Sequence, residues 1–211
     1  MPFVRLDPAG LPFIGGALAV AAVVFAIGSG LGAGLFVMLA AFFTFFFRDP
    51  ERHAQVGAND VVAPADGRVL VAGSADAAVA PPGVWQQISI FLSPLDVHVN
   101  RIPVSGRVTD VHFQKGRFLP AYHHDAATSN ERSEIWIDHA GRSVVARQVV
   151  GVLARRVVCR VERGAEVRVG DRFGIMKFGS RMDVFVPHDA SLRVHIGETV
   201  RGGETVIAVL H

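Results

Sequence analysis

"EVRVGDRFG" (residues 166–174) and "VHIGETVRGGETVIAVL" (residues 194–210) are the stretches that decide the fold. Each is rich in β-branched residues and is interrupted by the same signal, Val-x-x-Gly followed by Asp or Glu. Glycine there allows a tight turn, and the carboxylate that follows suits the turn's polar surface. Strand, turn, strand is the simplest reading, with each strand only a few residues long.

The pattern repeats upstream. "VVAPADGRVLVAG" (61–73), "VWQQISIFLS" (84–93), "GRVTDVHFQ" (106–114), "EIWIDHA" (134–140), "RSVVARQVVG" (142–151), "RRVVCRVERG" (155–164) and "SRMDVFVP" (180–187) are all bounded by Gly, Pro, Asp or Asn. No long 3.6-residue apolar repeat intervenes. Residues 61–211 therefore read as a mainly β domain, a sandwich or barrel. The glycine turns, together with "APADGRVL" (63–70), resemble the hammerhead barrel-sandwich of biotinyl and lipoyl carrier domains. Met176-Lys177 is similar to the pair around a biotin-accepting lysine, but Phe178 and a Gly-Ser follow, so the resemblance extends to the fold rather than to carrier function.

The N-terminus is of another kind. From Leu11 to Phe47 there are 37 residues without a charged side chain, and they lift the mean hydropathy of the chain to +0.36. "GSGLGAG" (28–34) divides them into two runs of about 17 residues, the lower limit for a membrane-crossing helix. Four glycines in seven residues disfavour one continuous helix. Residues 1–47 are expected to form a membrane-anchoring helical hairpin, with the phenylalanines of "FFTFFF" at the interface. Arg5 precedes it and Arg48 and Arg52 follow, so both ends are expected on the cytoplasmic side of the cell membrane. The polar, turn-rich segment 48–60 reads as a linker.

Charge narrows the function classes. The formal net charge is +2 and the basic residues are nearly all arginine, with Lys115 and Lys177 the two lysines. Basic and aromatic residues are not interleaved as single-strand nucleic-acid binders require, so nucleic acid is not expected as a partner. Cys159 has no second cysteine to pair with. No metal is expected.

The chemistry centres on "KFGSRMDVFVP" (177–187). Ser180 has no G-x-S-x-G elbow around it, which removes a hydrolase nucleophile. A bulge or turn is the plain reading of Gly179-Ser180. The other is self-cleavage: the serine hydroxyl attacks the open carbonyl of Gly179, the amide becomes an ester, and elimination followed by hydrolysis leaves a pyruvoyl group. Such a ketone performs Schiff-base chemistry without a lysine. Asp66 in "PADG" (64–67) stands at a turn. Asp96 and His98 are expected on one face of an extended segment, with His98 a natural proton shuttle. "TSNERSEIW" (128–136) is a polar cluster entering a strand.

Taken in order, "FFFRDPER", "VVAPADGRV", "FLSPLDVHVNRIPVSG", "NERSE", "QVVGVLARRVVCRV" and "FGSRMDVFVP" span essentially the whole chain. Through them the chain resembles the short bacterial form of the phosphatidylserine decarboxylase proenzymes. The resemblance implies cleavage between Gly179 and Ser180 into a β chain of residues 1–179 and an α chain of residues 180–211, held as a heterodimer. It implies a covalent pyruvoyl cofactor derived from Ser180, Asp66 acting in self-processing, and His98 acting in decarboxylation. Phosphatidylserine in the membrane would be the substrate and phosphatidylethanolamine the product. Arg155, Arg156, Asn130 and Glu131 are candidates for contacts to the lipid. Longer family members carry a second histidine where this chain has Arg101, and many have Thr where it has Arg181. The alternative reading is a non-catalytic, membrane-tethered barrel-sandwich module that binds lipid or a partner.

Overall fold

Glycine and serine punctuation turns the apolar N-terminus into two helices. The computed structural model describes residues 5–53, 55–123, 125–152, 157–177 and 179–211. Asp7 caps a 3-10 turn at Pro8–Gly10 by accepting the Ala9 N–H at 2.9 Å, and α1 (Leu11–Ala26) continues from it. The helix stops at Gly28, whose φ of +90° lies in the left-handed region that glycine tolerates. Ser29 then accepts the Gly32 N–H and opens α2 (Gly30–Phe46). Two short strands, β1 (Arg5–Leu6) and β2 (Arg48–Asp49), pair across the open end of the hairpin.

The two helices bury their small residues. Ala17, Ala21, Ala33 and Ala40 are covered, while Leu18, Phe25, Leu35 and Met38 are exposed, with Ile27 at 76% and Leu31 at 85%. That distribution is inverted relative to a water-soluble helix pair, whose large apolar side chains face inward. Pro8–Ala26 is 19 residues long with a hydropathy of 2.1, long and apolar enough to cross a bilayer, and Gly30–Phe46 is a shorter apolar helix. The chain divides into two units, residues 1–51 and 52–211.

The second unit is built from antiparallel strands. In chain order they are β3 (Asp60–Val62), β4 (Gly67–Ser74), β5 (Trp85–Leu92), β6 (Val99–Arg101), β7 (Gly106–Gln114), β8 (Arg132–His139), β9 (Arg142–Val150), β10 (Val157–Cys159), β11 (Glu166–Val167), β12 (Arg172–Met176), β13 (Ser180–Pro187), β14 (Ser191–Leu192), β15 (Thr199–Val200) and β16 (Val206–Val209). Eight form one sheet in the order β11-β7-β8-β9-β13-β5-β4-β15, and two three-stranded sheets, β10-β12-β6 and β14-β16-β3, complete the domain. The mainly β architecture read from the glycine turns is the one observed. Gly170, Gly197 and Gly203 have φ of +84°, +94° and +77°.

Strand β13 is central. It pairs with β5 on one side and β9 on the other. Met182, Val184 and Val186 point into the main core with Ile88, Ile90, Leu92, Ile135, Val144 and Phe173. Arg181, Asp183 and Phe185 alternate onto the opposite face, where Phe185 packs with Val79, Ala127 and Val145. Register is thereby fixed: a one-residue slip would drive Arg181 and Asp183 into the apolar core.

Candidate active site

Ser180 is the first residue of β13 and lies opposite Leu92 of β5 and Val150 of β9. By alternation it shares a face with Met182, so its hydroxyl points inward. The residue is fully buried and its Oγ has no hydrogen-bond partner among the described residues. A buried hydroxyl without a partner forfeits roughly 1–3 kcal/mol, an arrangement native cores rarely tolerate without a use.

The preceding residue sets the junction. Gly179 has a φ of +75°, and an added Cβ there would meet nothing within 4 Å, so its glycine identity answers a backbone conformation and not crowding. Its carbonyl lies against Gly151, directly after β9, where any side chain would run into the Gly179 oxygen. The chain is continuous through the two residues.

His98 approaches this junction from the other side. It is fully buried, and its Nε2 accepts the Gly179 N–H at 3.4 Å. Its Nδ1 lies 2.9 Å from the Asp96 carbonyl, which can only accept. The two contacts agree on one tautomer, with the proton on Nδ1 and the Nε2 lone pair accepting the Gly179 N–H, one residue before Ser180. Sequence reasoning placed Asp96 and His98 on one face of an extended strand, and here the structure differs. Ser93-Pro94-Leu95-Asp96 is a turn, closed by Asp96 Oδ2 accepting from the Ser93 N–H and Oγ at 2.8 and 2.7 Å. Proline presets such a turn and the aspartate closes it on its own backbone. Asp96 therefore orients the imidazole through its main chain rather than through its carboxylate.

Asp66 sits at the turn before β4. Its Oδ1 accepts the Gly202 N–H at 2.7 Å and its Oδ2 pairs with Arg52 at 2.9 Å, while Arg52 also holds Glu204 at 2.8 Å. Arg101, at the position of the second histidine in longer family members, belongs to this neighbourhood. Its N–H donates to the Pro64 carbonyl, its guanidinium to the Gly170 carbonyl at 3.0 Å, and its stem packs on Gly203 beside Arg52. β5 lies between β4 and β13, so roughly 10 Å separate β4, which follows the Asp66 turn, from the strand carrying Ser180. Ser180 and His98 are brought together at the junction, and Asp66 braces the turn beside it.

The remaining candidates fall elsewhere. Asn130 is fully buried and donates both amide N–H groups to backbone, to Leu119 O and Val150 O at 2.8 Å each, while accepting the Leu119 N–H at 2.9 Å. Glu131 follows it, its backbone paired with Arg117 and Val150. Arg155 and Arg156 lie outside the described residues. Arg181 is adjacent to Ser180 in sequence but on the opposite face of the sheet, where it donates to Asp183 at 2.6 Å and to Ser89 at 2.9 Å. Further along that face Arg132 has its pKa lowered by burial and by the charge of Arg147, against the opposing pull of Glu134 and Asp183. Among the described residues no group of three or more His, Cys, Asp or Glu is placed to hold a metal ion.

Two features were missed from sequence. Gly151 was read only as a strand boundary, although its position at the end of a β-branched run was a signal for close backbone approach. The buried pair Asn100 and Gln148, joined at 2.8 Å on the inner face, left no local signature.

The β fold thus brings a glycine at positive φ and a buried serine together at consecutive backbone positions of one strand entrance, with a buried histidine beside them. The model of the family described as phosphatidylserine decarboxylase matches residues 39–208. The chain is 40% identical to the phosphatidylserine decarboxylase proenzyme of Geotalea daltonii over 95% of its length and 94% of that protein's. It is 42% identical to that of Pelodictyon phaeoclathratiforme, covering 91% of each chain, and 44% identical to that of Neorickettsia sennetsu, covering 97% and 92%. The chain belongs to the phosphatidylserine decarboxylase family.

Proposed function

We propose that the chain is a phosphatidylserine decarboxylase proenzyme, a carboxy-lyase that cleaves itself between Gly179 and Ser180 and converts phosphatidylserine to phosphatidylethanolamine. The observation that carries the reading is the junction itself: a buried Ser180 Oγ without a hydrogen-bond partner among the described residues, beside a glycine at positive φ whose N–H donates to His98 Nε2.

Self-processing follows from these groups. His98 takes the hydroxyl proton, Ser180 Oγ bonds to the Gly179 carbonyl carbon, and the Gly179–Ser180 C–N bond breaks with the proton passing to nitrogen. Loss of the Ser180 Cα proton then breaks the ester C–O bond. This leaves the Gly179 carboxylate and an enamine, which tautomerises and hydrolyses to a ketone with release of ammonia. Gly151 keeps the space beside the attacked carbonyl free of a side chain. The Asp66–Arg52–Glu204 cluster fixes the turn at Gly202.

The residues fit a pyruvoyl group, since Ser180 is already buried where the ketone would stand, and Lys115 and Lys177 are needed for no covalent step. When formed, the group supplies an electron sink for the departing carboxylate. His98 then holds a proton within reach of the same position, so one histidine serves processing and turnover without a partner at residue 101. The product is a heterodimer of residues 1–179 and 180–211, retained by β13 pairing with β5 and β9. The helices of residues 1–47 hold it at the membrane, with the β domain on the cytoplasmic side.

Intact-mass analysis of the purified protein tests the reading. The expected result is two fragments that meet at 179/180, the smaller blocked to Edman sequencing. Ser180→Ala is expected to remain a single 22.6 kDa chain and to lose decarboxylation. Activity of Ser180→Ala on phosphatidylserine would exclude the pyruvoyl mechanism.

A further inference from the structure

We propose that the β domain carries its own lipid-docking rim around the Gly179-Ser180 junction, formed by Leu95, Phe118, Tyr122 and Val152. The rim rests on the reading above for its occupant, the acyl-chain region of an anionic phospholipid bilayer. These four residues are 39% to 68% exposed. Scattered apolar residues on a surface need no explanation, but these converge on one place.

Three loops bring them there. Leu95 is in the turn that presents His98, whose Nε2 meets the Gly179 N–H. Val152 follows Gly151, which lies against the Gly179 carbonyl. Tyr122 follows Ala121, whose Cβ approaches the space above Gly151, and its ring packs edge-on to Phe91 at 5.9 Å. Phe118 precedes Leu119, which Asn130 ties to Val150, the cross-strand partner of Ser180. Each apolar side chain is thus within a few residues of a group touching the scissile unit.

The chemistry of the rim selects its occupant. Lys115 and Arg117 are exposed on the same loop as Phe118, and the acids near them are exposed Asp125, half-buried Glu131 and half-buried Asp96, the last engaged in its own turn. Apolar and aromatic residues flanked by cations match a bilayer interface with anionic headgroups. A substrate whose reacting amine must reach a fully buried Ser180 has to leave the headgroup plane, and an apolar rim at that entrance lets its chains stay in lipid while it does so.

Brominated-lipid quenching on the full chain tests this. Tyr122→Trp adds a reporter on the rim, and Val84→Trp adds an exposed one at the other end of β5, roughly 25 Å from Leu92. Emission of each is read relative to the native chain, bound to phosphatidylserine vesicles containing acyl-brominated phosphatidylcholine. The expected result is at least a twofold loss of the added signal for Tyr122→Trp and none for Val84→Trp. Equal quenching of the two, or none at Tyr122→Trp, overturns the rim. So does a concentration-dependent blue shift of Tyr122→Trp without vesicles, which would make the face a contact between two copies. Splitting at 179/180 is followed on a gel of the same samples, so failure of the self-processing reading is seen separately from failure of the rim.

Discussion

At the scale of single residues, the junction depends on which atom of His98 carries its proton. The Asp96 carbonyl fixes the proton on Nδ1 and leaves Nε2 basic. Glutamine can keep a hydrogen-bonding group in that space but offers no base. His98→Gln is therefore expected to slow splitting at 179/180 by about 10²–10⁴-fold, the usual worth of a positioned general base. A gel time course after expression measures it, and splitting at the native rate would remove His98 from the processing step. Arg101 bears on the same point. Its guanidinium is committed to the Gly170 carbonyl and its stem to Gly203, so the base is sought at residue 98. Arg181, the other departure from longer relatives, is turned to the far face of the sheet and leaves the inner face to Ser180.

At the scale of elements, the loop of residues 118–123 is tied to β9 through the side chain of Asn130. Asn130 bonds both the N–H and the C=O of half-buried Leu119 and the buried C=O of Val150. Asn130→Ala is expected to cost about 2–4 kcal/mol, because the buried Val150 carbonyl left unpaired is worth about 1–3 kcal/mol and the two half-buried Leu119 groups less each. Thermal unfolding in detergent reads the loss, and an unchanged midpoint would show that the loop is held by other contacts. This residue also marks the limit of what was legible. "NERSE" stood out as polar and was read toward the lipid, yet its asparagine is spent on backbone from segments 11 and 20 residues away. Strands and turns were legible because β-branched runs and glycine turns are local signals, and the α1–α2 break was legible for the same reason. The Gly179–His98 contact across 81 residues, which sets the histidine beside Ser180, became readable only through resemblance. The Asp96–His98 relation was misread because a Ser-Pro-Leu-Asp turn and a short strand look alike to a period-two pattern.

At the scale of the whole molecule, two kinds of surface share one chain. Residues 11–46 expose leucine, isoleucine and phenylalanine from a helix pair whose covered residues are mostly alanine, a distribution that hydrocarbon stabilises and water does not. The β domain has an ordinary apolar core. Arg5 lies before α1 and Arg48 and Arg52 follow α2, so the positive-inside bias acts on both ends of the hairpin with the same sign. A two-helix anchor returns the chain to the side it started from, so the proposed topology has residues 52–211 in the cytoplasm. Protease added to intact spheroplasts of an expressing bacterium is therefore expected to leave the fragments 1–179 and 180–211 undigested. The same protease added to inverted membrane vesicles is expected to digest the β domain while sparing a fragment of about 5 kDa from the N-terminus. Digestion in spheroplasts would place the domain outside. Release of the chain by alkaline carbonate would show that the helices lie on the bilayer instead of in it, since a helix inserted through hydrocarbon withstands that wash whereas an interfacial one is held largely by charge.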